Sequence, residues 1–437
     1  MKVCKFGGSS VADAAQFKKV KEIIQSDRQR VYVVPSAPGK RFDGDAKVTD
    51  MLYAYHAAVS RGEGGDDIFE EIRRRFIEIR DGLGISTDIE AHLNKIAADV
   101  KAGACEDYTV SRGEYLNGLL LADYLGFDFI DPAGAIFFNA NGVYESEKTR
   151  TVMRGRLRQS RTAVIPGFYG SMPDGTIKTF SRGGSDITGA IVARAAKADV
   201  YENWTDVPGV LMADPHIVEN PRVISKITYR ELRELSYMGA TVLHEEAIFP
   251  VFKANIPINI KNTNDPDAPG TMIVPNVIDN NTHVITGIAG RKGFTVISVE
   301  KANMNAELGF GRRILSALEK NDIRFEHMPS GIDTLSVVLA NSEINGKEAK
   351  LMDDVYNLCQ PDSLEIYAGL ALIATVGRGM ISNVGVAARL FTALANANVN
   401  IRMIDQGSSE MNIIVGVDEK DFETAIKAIY RAFCDQA

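Results

Sequence analysis

Two glycine pairs, Gly7-Gly8 and Gly183-Gly184, each fall where a short apolar run ends and a helix-like segment begins. Turns of this kind join a β-strand to the helix that covers it, and two of them in one chain call for a parallel sheet with crossover helices. The surrounding pattern agrees. Val3–Phe6, Val31–Val34, Ala163–Pro166, Ile177–Phe180 and Val200–Trp204 read as short apolar strands. Ala12–Ser26, Leu116–Leu125 and Ile187–Ala198 read as helices, the first with Ala15, Val20, Ile23 and Ile24 on one stripe. Ser10 and Asp13 have capping-box spacing, which predicts the first helix start there. The alternation runs to about residue 283 and predicts an α/β fold, its sheet mainly parallel with helices on both faces. Asn262–Pro269 breaks the rhythm, and Ile278–His283 reads as a linker.

The remainder repeats itself. A shift of 76 residues lays Val296-Ile297 on Leu372-Ile373, Met304 on Met380, Gly309 on Gly385 and Arg313 on Arg389. It also lays Ala317-Leu318 on Ala393-Leu394, Ile323 on Val399, Phe325 on Ile401, Met328 on Ile404 and Val337-Val338 on Ile413-Ile414. Each copy reads strand, glycine loop, helix, strand, turn, strand, helix, which predicts two βαββαβ units side by side. The expected division is therefore 1–283 and 284–437, the second holding copies at about 286–360 and 361–437.

Charge and motif content exclude several classes. The net charge is −8, a poor match for non-specific nucleic-acid or acidic-membrane binding. No apolar run has membrane-spanning length, and MKVCKFGGSS does not read as a secretory leader. The four cysteines form no CxxC, which suits reduced thiols in a cytoplasmic protein. No histidine cluster has metal-ligand spacing, since His244-Glu245-Glu246 is followed by Ile248 where HExxH needs a second histidine. Walker A, the protein-kinase signatures and GxGxxG are absent, and nothing supports a Ser-His-Asp triad.

The two glycine turns carry the chemistry that remains. Gly7 and Gly8 let backbone N–H groups approach a ligand at a helix N-terminus, an anion-binding arrangement, with Lys5 at the strand end. Arg182 beside Gly183-Gly184 offers a fork for a carboxylate, and Asp186 follows in the first helical turn. Each turn alone is also compatible with a plain strand-to-helix connection. Together they place two cradles along one edge of a sheet, where ligands of open α/β folds bind.

An ordered set of motifs then resembles a known family. KFGGSS at the N-terminus, Ser111-Arg112-Gly113-Glu114, Arg182-Gly183-Gly184-Ser185-Asp186 and Trp204-Thr205-Asp206-Val207-Pro208-Gly209 resemble aspartokinases of the amino-acid kinase superfamily. Pro35-Ser36-Ala37-Pro38-Gly39, Val48-Thr49-Asp50 and Gly167-Phe168-Tyr169-Gly170 fit the same pattern, and the C-terminal pair resembles tandem, interleaved ACT domains. The resemblance implies transfer of phosphate from ATP, with Mg2+, to the β-carboxylate of L-aspartate. That reaction opens the route to lysine, threonine and methionine. It assigns Lys5 and Asp186 to catalysis, and Ser36, Thr49, Glu114, Arg182, Gly183 and Ser185 to the amino acid. It assigns Lys5, Gly7, Gly8, Ser9, Thr205 and Asp206 to the nucleotide, with no dedicated protein metal site. The chain departs from the family at Leu211, His216 and Thr241, on the nucleotide side. The ACT pair implies an amino-acid effector, lysine foremost, at Met304, Asn305, Glu307, Gly309, Phe310, Gly311, Phe325 and Glu326. It also implies association into a homodimer or tetramer, with no nucleic-acid or membrane partner. Two other readings stay open here: an amino-acid-binding regulator with a weakened kinase fold, and a related kinase of different substrate.

Overall fold

The computed structural model describes residues 1–181, 183–240, 243, 245–276 and 284–434. Two compact units emerge. One comprises 1–210, 223–230 and 241–278, the other 211–222, 231–240 and 279–437.

The first unit carries β1 (Lys2–Phe6), α1 (Ala14–Ser26), β2 (Arg30–Pro35), α2 (Val48–Ser60), α3 (Asp66–Leu83), α4 (Ile89–Lys101) and α5 (Glu106–Leu125). Then follow β3 (Asp128–Phe129), α6 (Ser146–Gln159), β4 (Ala163–Val164), β5 (Tyr169–Ser171), β6 (Ile177–Thr179), α7 (Gly184–Ala196) and β7 (Val200–Thr205). After β8 (Lys226–Thr228) and α8 (Tyr229–Tyr237) come α9 (Glu245–Lys253), β9 (Ile258–Asn262) and β10 (Thr271–Val274). The sheet order is β3-β4-β2-β1-β7-β9-β10-β8, parallel throughout except where β10 turns back on β9. The polar stretch Asn262–Pro269 is thus the connection between β9 and β10, and the first sheet continues past it. Strands β5 and β6 form a separate hairpin.

The expected α/β sheet with helices is present, and its central strand β1 lies between β2 and β7. Helix α1 buries Phe17, Val20, Ile23 and Ile24, the stripe its periodicity requires. Its cap differs from the expectation: Asp13 is itself the N-cap, accepting from the Gln16 amide at 2.9 Å. Ser10 sits one short 3-10 turn earlier and hydrogen-bonds Thr263 at 2.7 Å instead. Helices α2, α3, α4 and α6 were not legible as such. α6 is so polar that only Thr149, Met153 and Leu157 are buried, while α3 hides its apolar stripe among charges.

The second unit carries β11 (Gly287–Glu300), α10 (Phe310–Lys320), β12 (Thr334–Ala340), α11 (Asn341–Ile344), α12 (Glu348–Cys359) and β13 (Ser363–Val376). It ends with α13 (Val386–Asn396), β14 (Ile401–Asp405), β15 (Asn412–Asp418) and α14 (Phe422–Cys434). The antiparallel sheet runs β12-β11-β13-β15-β14. β11 serves both repeat copies: Gly287–Arg291 pairs with Leu372–Val376, and Phe294–Glu300 with Ser363–Leu370, across an irregularity at Gly293 (φ 91°). Each copy has its own core at matching positions, Ile314, Leu318, Val337 and Leu339 in one and Leu390, Leu394, Ile413 and Val415 in the other. The second strand of the first copy is reduced to bridges such as His327 to Val338. The linker lies outside the described residues. Among the described residues no helix is long and apolar enough to cross a membrane.

Candidate active site

Adjacent parallel strands deliver their connecting turns to one edge. At that edge the Phe6 carbonyl accepts from the Ser36 amide (3.0 Å), and the Gly7 amide donates to the Trp204 carbonyl (2.9 Å). The Gly167 amide donates to the Pro35 carbonyl (3.1 Å). The turns after β1, β2, β4 and β7 are therefore stitched together by backbone. This corrects one expectation: the Gly7 N–H is engaged within the protein and does not point to a ligand, so Gly8 and Ser9 are what remains of the first cradle.

The glycines are required by loop-on-loop packing. The Gly39 amide donates to the Gly8 carbonyl at 2.8 Å, and a Cβ on Gly39 would lie 2.5 Å from the Gly8 carbonyl carbon and 2.7 Å from the Ser9 nitrogen. Both obstacles are backbone, so a side chain there must displace the turn. Gly39→Ala is expected to cost ~1–3 kcal/mol, seen as a lower Tm, and to raise the KM for nucleotide. Unchanged values would show that the turn yields freely. At the second turn Gly183 takes a left-handed φ of 58° as the N-cap of α7, and a Cβ on Gly184 would meet Phe168 at 2.4 Å.

Lys5 leaves the end of β1 and reaches Asp186 in the first turn of α7, Nζ to Oδ1 2.6 Å. The same oxygen accepts from Asn203 Nδ2 at 2.9 Å, and the Asp186 carbonyl accepts from the Tyr201 hydroxyl at 3.1 Å. Lys5 is 8% exposed. The glycine turns are thus joined by an ion pair that β7 holds in place. Asn203 is a residue that sequence reasoning passed over; its signal was a buried polar position inside an otherwise apolar strand. Its neighbour Glu202 was missed too. Burial pushes the Glu202 carboxyl pKa up, but Arg30 and Lys2 outweigh this and hold it below the ordinary value. Arg30 donates at 2.8 Å, Lys2 at 3.0 Å and Trp204 Nε1 at 3.0 Å, so Glu202 ties β1, β2 and β7 together.

Glu114 stands two turns into α5 and is buried. It accepts from the Ala37 backbone amide, yet its Oε2 has no partner. Burial drives its pKa from the ordinary 4.5 up to about 8. Beside it Asn117 Nδ2 donates to the Ser36 carbonyl at 2.7 Å and leaves its own carbonyl oxygen unpartnered. An orphaned carboxylate oxygen and an orphaned amide oxygen suit a donor-rich cationic group. Arg112 does not reach them: its guanidinium lies within 4.5–5.0 Å of the Tyr108, Tyr115 and Tyr169 ring centres.

Ser185 packs on Gly167, and Thr49 is half-buried in the first turn of α2. Thr205 ends β7, its carbonyl accepting from the Thr263 amide at 2.8 Å and its hydroxyl donating to exposed Asp206 at 3.2 Å. Arg182 and Thr241 lie outside the described residues, and Leu211 and His216 fall in the second unit.

The eight effector positions do not share one cavity. Met304 and Phe310 are core residues beneath α10. The Asn305 amide donates to the Ile332 carbonyl, and Glu307 pairs with Lys301 at 2.9 Å and with Arg313. Gly309 caps α10 with φ 78°, and a Cβ on Gly311 would meet open space. Phe325 and Glu326 instead line a cavity of 690 Å³ with Tyr237, Arg291, Leu315 and Glu319. There Glu326 accepts from the Tyr237 hydroxyl and from Arg291 at 3.4 Å. The separation follows from α10: one group flanks its N-terminus and the other its C-terminal half.

Comparison with known proteins adds the following. Residues 1–262 match the amino acid kinase family, and residues 373–433 match the ACT domain. The chain is 41% identical to aspartokinase 3 of Bacillus subtilis, covering 99% of this chain and 98% of that one. It resembles the crystal structure of Clostridium acetobutylicum aspartate kinase with a TM-score of 0.91 and 56% identity, over 99% of this chain and 100% of that one. It also resembles E. coli aspartokinase III (26% identity, 99% of each chain). The TM-score is 0.75 for the complex with aspartate and ADP and 0.73 for the complex with lysine and aspartate.

Proposed function

The chain belongs to the aspartokinases of the amino acid kinase family, and from that membership we propose how its own residues carry out phosphoryl transfer from ATP to the β-carboxylate of L-aspartate. The observation that carries the reading is the juxtaposition of a buried lysine, ion-paired at the sheet edge, with a buried glutamate whose outward oxygen lacks a partner.

The acceptor carboxylate is already ionised near neutral pH, so no general base is needed. One carboxylate oxygen attacks the γ-phosphorus, the bond to the ADP oxygen breaks, and the products are an acyl phosphate and ADP. Catalysis then rests on alignment and on neutralising charge on the transferring group. Lys5 meets that charge, held by Asp186, which Asn203 fixes. Gly8 and Ser9 receive phosphate oxygens, and Thr205 and Asp206 flank the nucleotide. Glu114 takes the substrate ammonium; Ser36, Thr49, Gly183 and Ser185 line its site, and Arg182 clamps its α-carboxylate. Among the described residues no group of three or more His, Cys, Asp or Glu is placed to hold an ion. A magnesium ion accordingly enters with the nucleotide, carried by phosphate oxygens and water, and supplies positive charge there.

The first step of an amino-acid route calls for control by an end product. We propose lysine, bound at the first ACT copy, a reading supported by the lysine complex of the E. coli relative. A homodimer or tetramer through the second unit fits its open edge strands β12 and β14. The four unpaired cysteines suit a reducing cytoplasm. ADP release should require L-aspartate and fall on addition of lysine; release without aspartate, or with another carboxylic acid preferred, would sink the substrate assignment. In the same assay Glu326→Ala is expected to relieve lysine inhibition and leave the uninhibited rate unchanged. Full retained inhibition would move the effector elsewhere.

A further inference from the structure

Helix α3 contains the run Arg73-Arg74-Arg75, and its members have different fates. The Arg73 and Arg74 side chains are 19% and 66% exposed and pair with Glu70, Glu71 and Glu78 along the helix. Arg75 is 3% exposed and shares the buried face of Ile72, Phe76 and Ile79. A guanidinium among aliphatic side chains is costly unless its donors are matched. Here each nitrogen is engaged, and by a different segment. Nε donates to the Ala12 carbonyl at 3.3 Å, at the end of the first glycine turn. Nη2 donates to the Gly39 carbonyl, and Nη1 to Asp45 Oδ2 at 2.9 Å.

Asp45 is the second half of the device. Besides Arg75 it accepts from the Arg41 amide at 2.9 Å, Arg41 Nε at 2.9 Å and Arg41 Nη2 at 3.1 Å. The Arg41 guanidinium, its amide and Arg75 hold the Asp45 carboxyl well below the usual carboxylate range. The arrangement therefore stays ionised through any ordinary assay pH. Gly39, gripped from one side by Arg75, reaches with its own amide to the Gly8 carbonyl on the other. A continuous path runs from α3 through the loop after β2 to the cradle after β1.

We propose that Arg75 and Asp45 form a clasp that positions the Ser36–Lys47 loop against the Gly8–Ala12 turn and so sets the alignment of the amino acid with the nucleotide. The proposal rests on the site reading given above. Arg75 touches neither substrate; it is a positioning residue whose fork is matched to three acceptors, which a lysine ammonium cannot reproduce.

The test uses the full-length chain with Arg75→Lys and Asp45→Asn. Trypsin cuts after Lys40, Arg41 and Lys47, so native-state cleavage within 40–47 reports directly on the clasp. Both variants are expected to be cut much faster there than the parent chain. Their kcat should fall by up to about 10²-fold, as a misalignment of about 1 Å would produce, and the aspartate KM should rise. A purely structural role predicts a lower Tm with kcat per folded molecule and both KM values unchanged, and that result overturns the proposal. If Arg75→Lys does not fold, Asp45→Asn decides alone, because it keeps the shape and removes only the charge. Parent-like cleavage and kinetics in that variant also overturn it. Failure of the parent chain to release ADP with aspartate would overturn the activity reading, while the protease arm still decides the clasp.

Discussion

Lys5→Met is expected to lower kcat by about 10²–10³-fold, equivalent to ~2.7–4 kcal/mol of lost transition-state stabilisation. The reason is placement. The ammonium is largely removed from water, where a charge acts over a weakly screening medium. Asp186 at 2.6 Å and, behind it, Asn203 fix its position before substrate arrives, so little reorganisation accompanies charge development. The KM values should change less than kcat, because a group that responds to charge in the transferring phosphoryl acts mainly in the transition state. Asp186→Asn should give a smaller loss of the same kind, since it loosens Lys5 without removing it. Steady-state kinetics on folded protein, verified by an unchanged melting profile, checks both. Turnover of Lys5→Met within twofold of the parent chain would remove Lys5 from the mechanism.

Glu114 should give the second large effect, with opposite signs on binding and on stability. Its pKa of about 8 in the ligand-free fold means that the carboxyl is mostly protonated at neutral pH. Capturing a substrate ammonium requires the ionised form. The aspartate KM is therefore expected to rise about tenfold for each pH unit below pH 7, and Glu114→Gln should raise the KM at pH 8 and flatten this dependence. Stability moves the other way. Between the unfolded pKa near 4.5 and the folded value near 8 the native state holds a proton that the unfolded chain has released. Raising the pH through that window therefore destabilises the fold, by an amount on the order of a few kcal/mol at its upper end. The Gln variant has no such titration and should melt higher than the parent at pH 8 without aspartate. Added aspartate should narrow the gap by stabilising the parent alone. A parent Tm independent of pH from 5 to 8 would contradict the raised pKa.

Some of this was readable residue by residue. Lys5, Asp186 and Glu114 were nominated from short motifs, and the fold brings Lys5 and Asp186 into contact across 181 positions of chain. The repeat at 76 residues foretold two matching cores, because equal spacing of apolar positions forces equal packing. Other features were hidden for definite reasons. Asn203 and Glu202 lie in a strand recognised by its apolar neighbours, and burial of a polar residue depends on partners from β1, β2 and α7. Arg75 is indistinguishable from Arg74 in a row of letters; helical phase separates them, and only the loops above α3 make the buried phase habitable for a charge. The expectation for Gly7 failed because a strand-end amide has a neighbouring strand to bond, and Trp204 supplies its carbonyl.

What the order of residues determined alone was periodic and local: apolar spacing, glycine turns and the repeat, each dictated by backbone geometry within a few residues. What tertiary structure decided was partnership, namely which amide is left for a ligand, which carboxyl stays protonated and which arginine is buried. Those outcomes turn on desolvation and on acceptors hundreds of residues away, and neither exists until the sheet has brought its strand ends together.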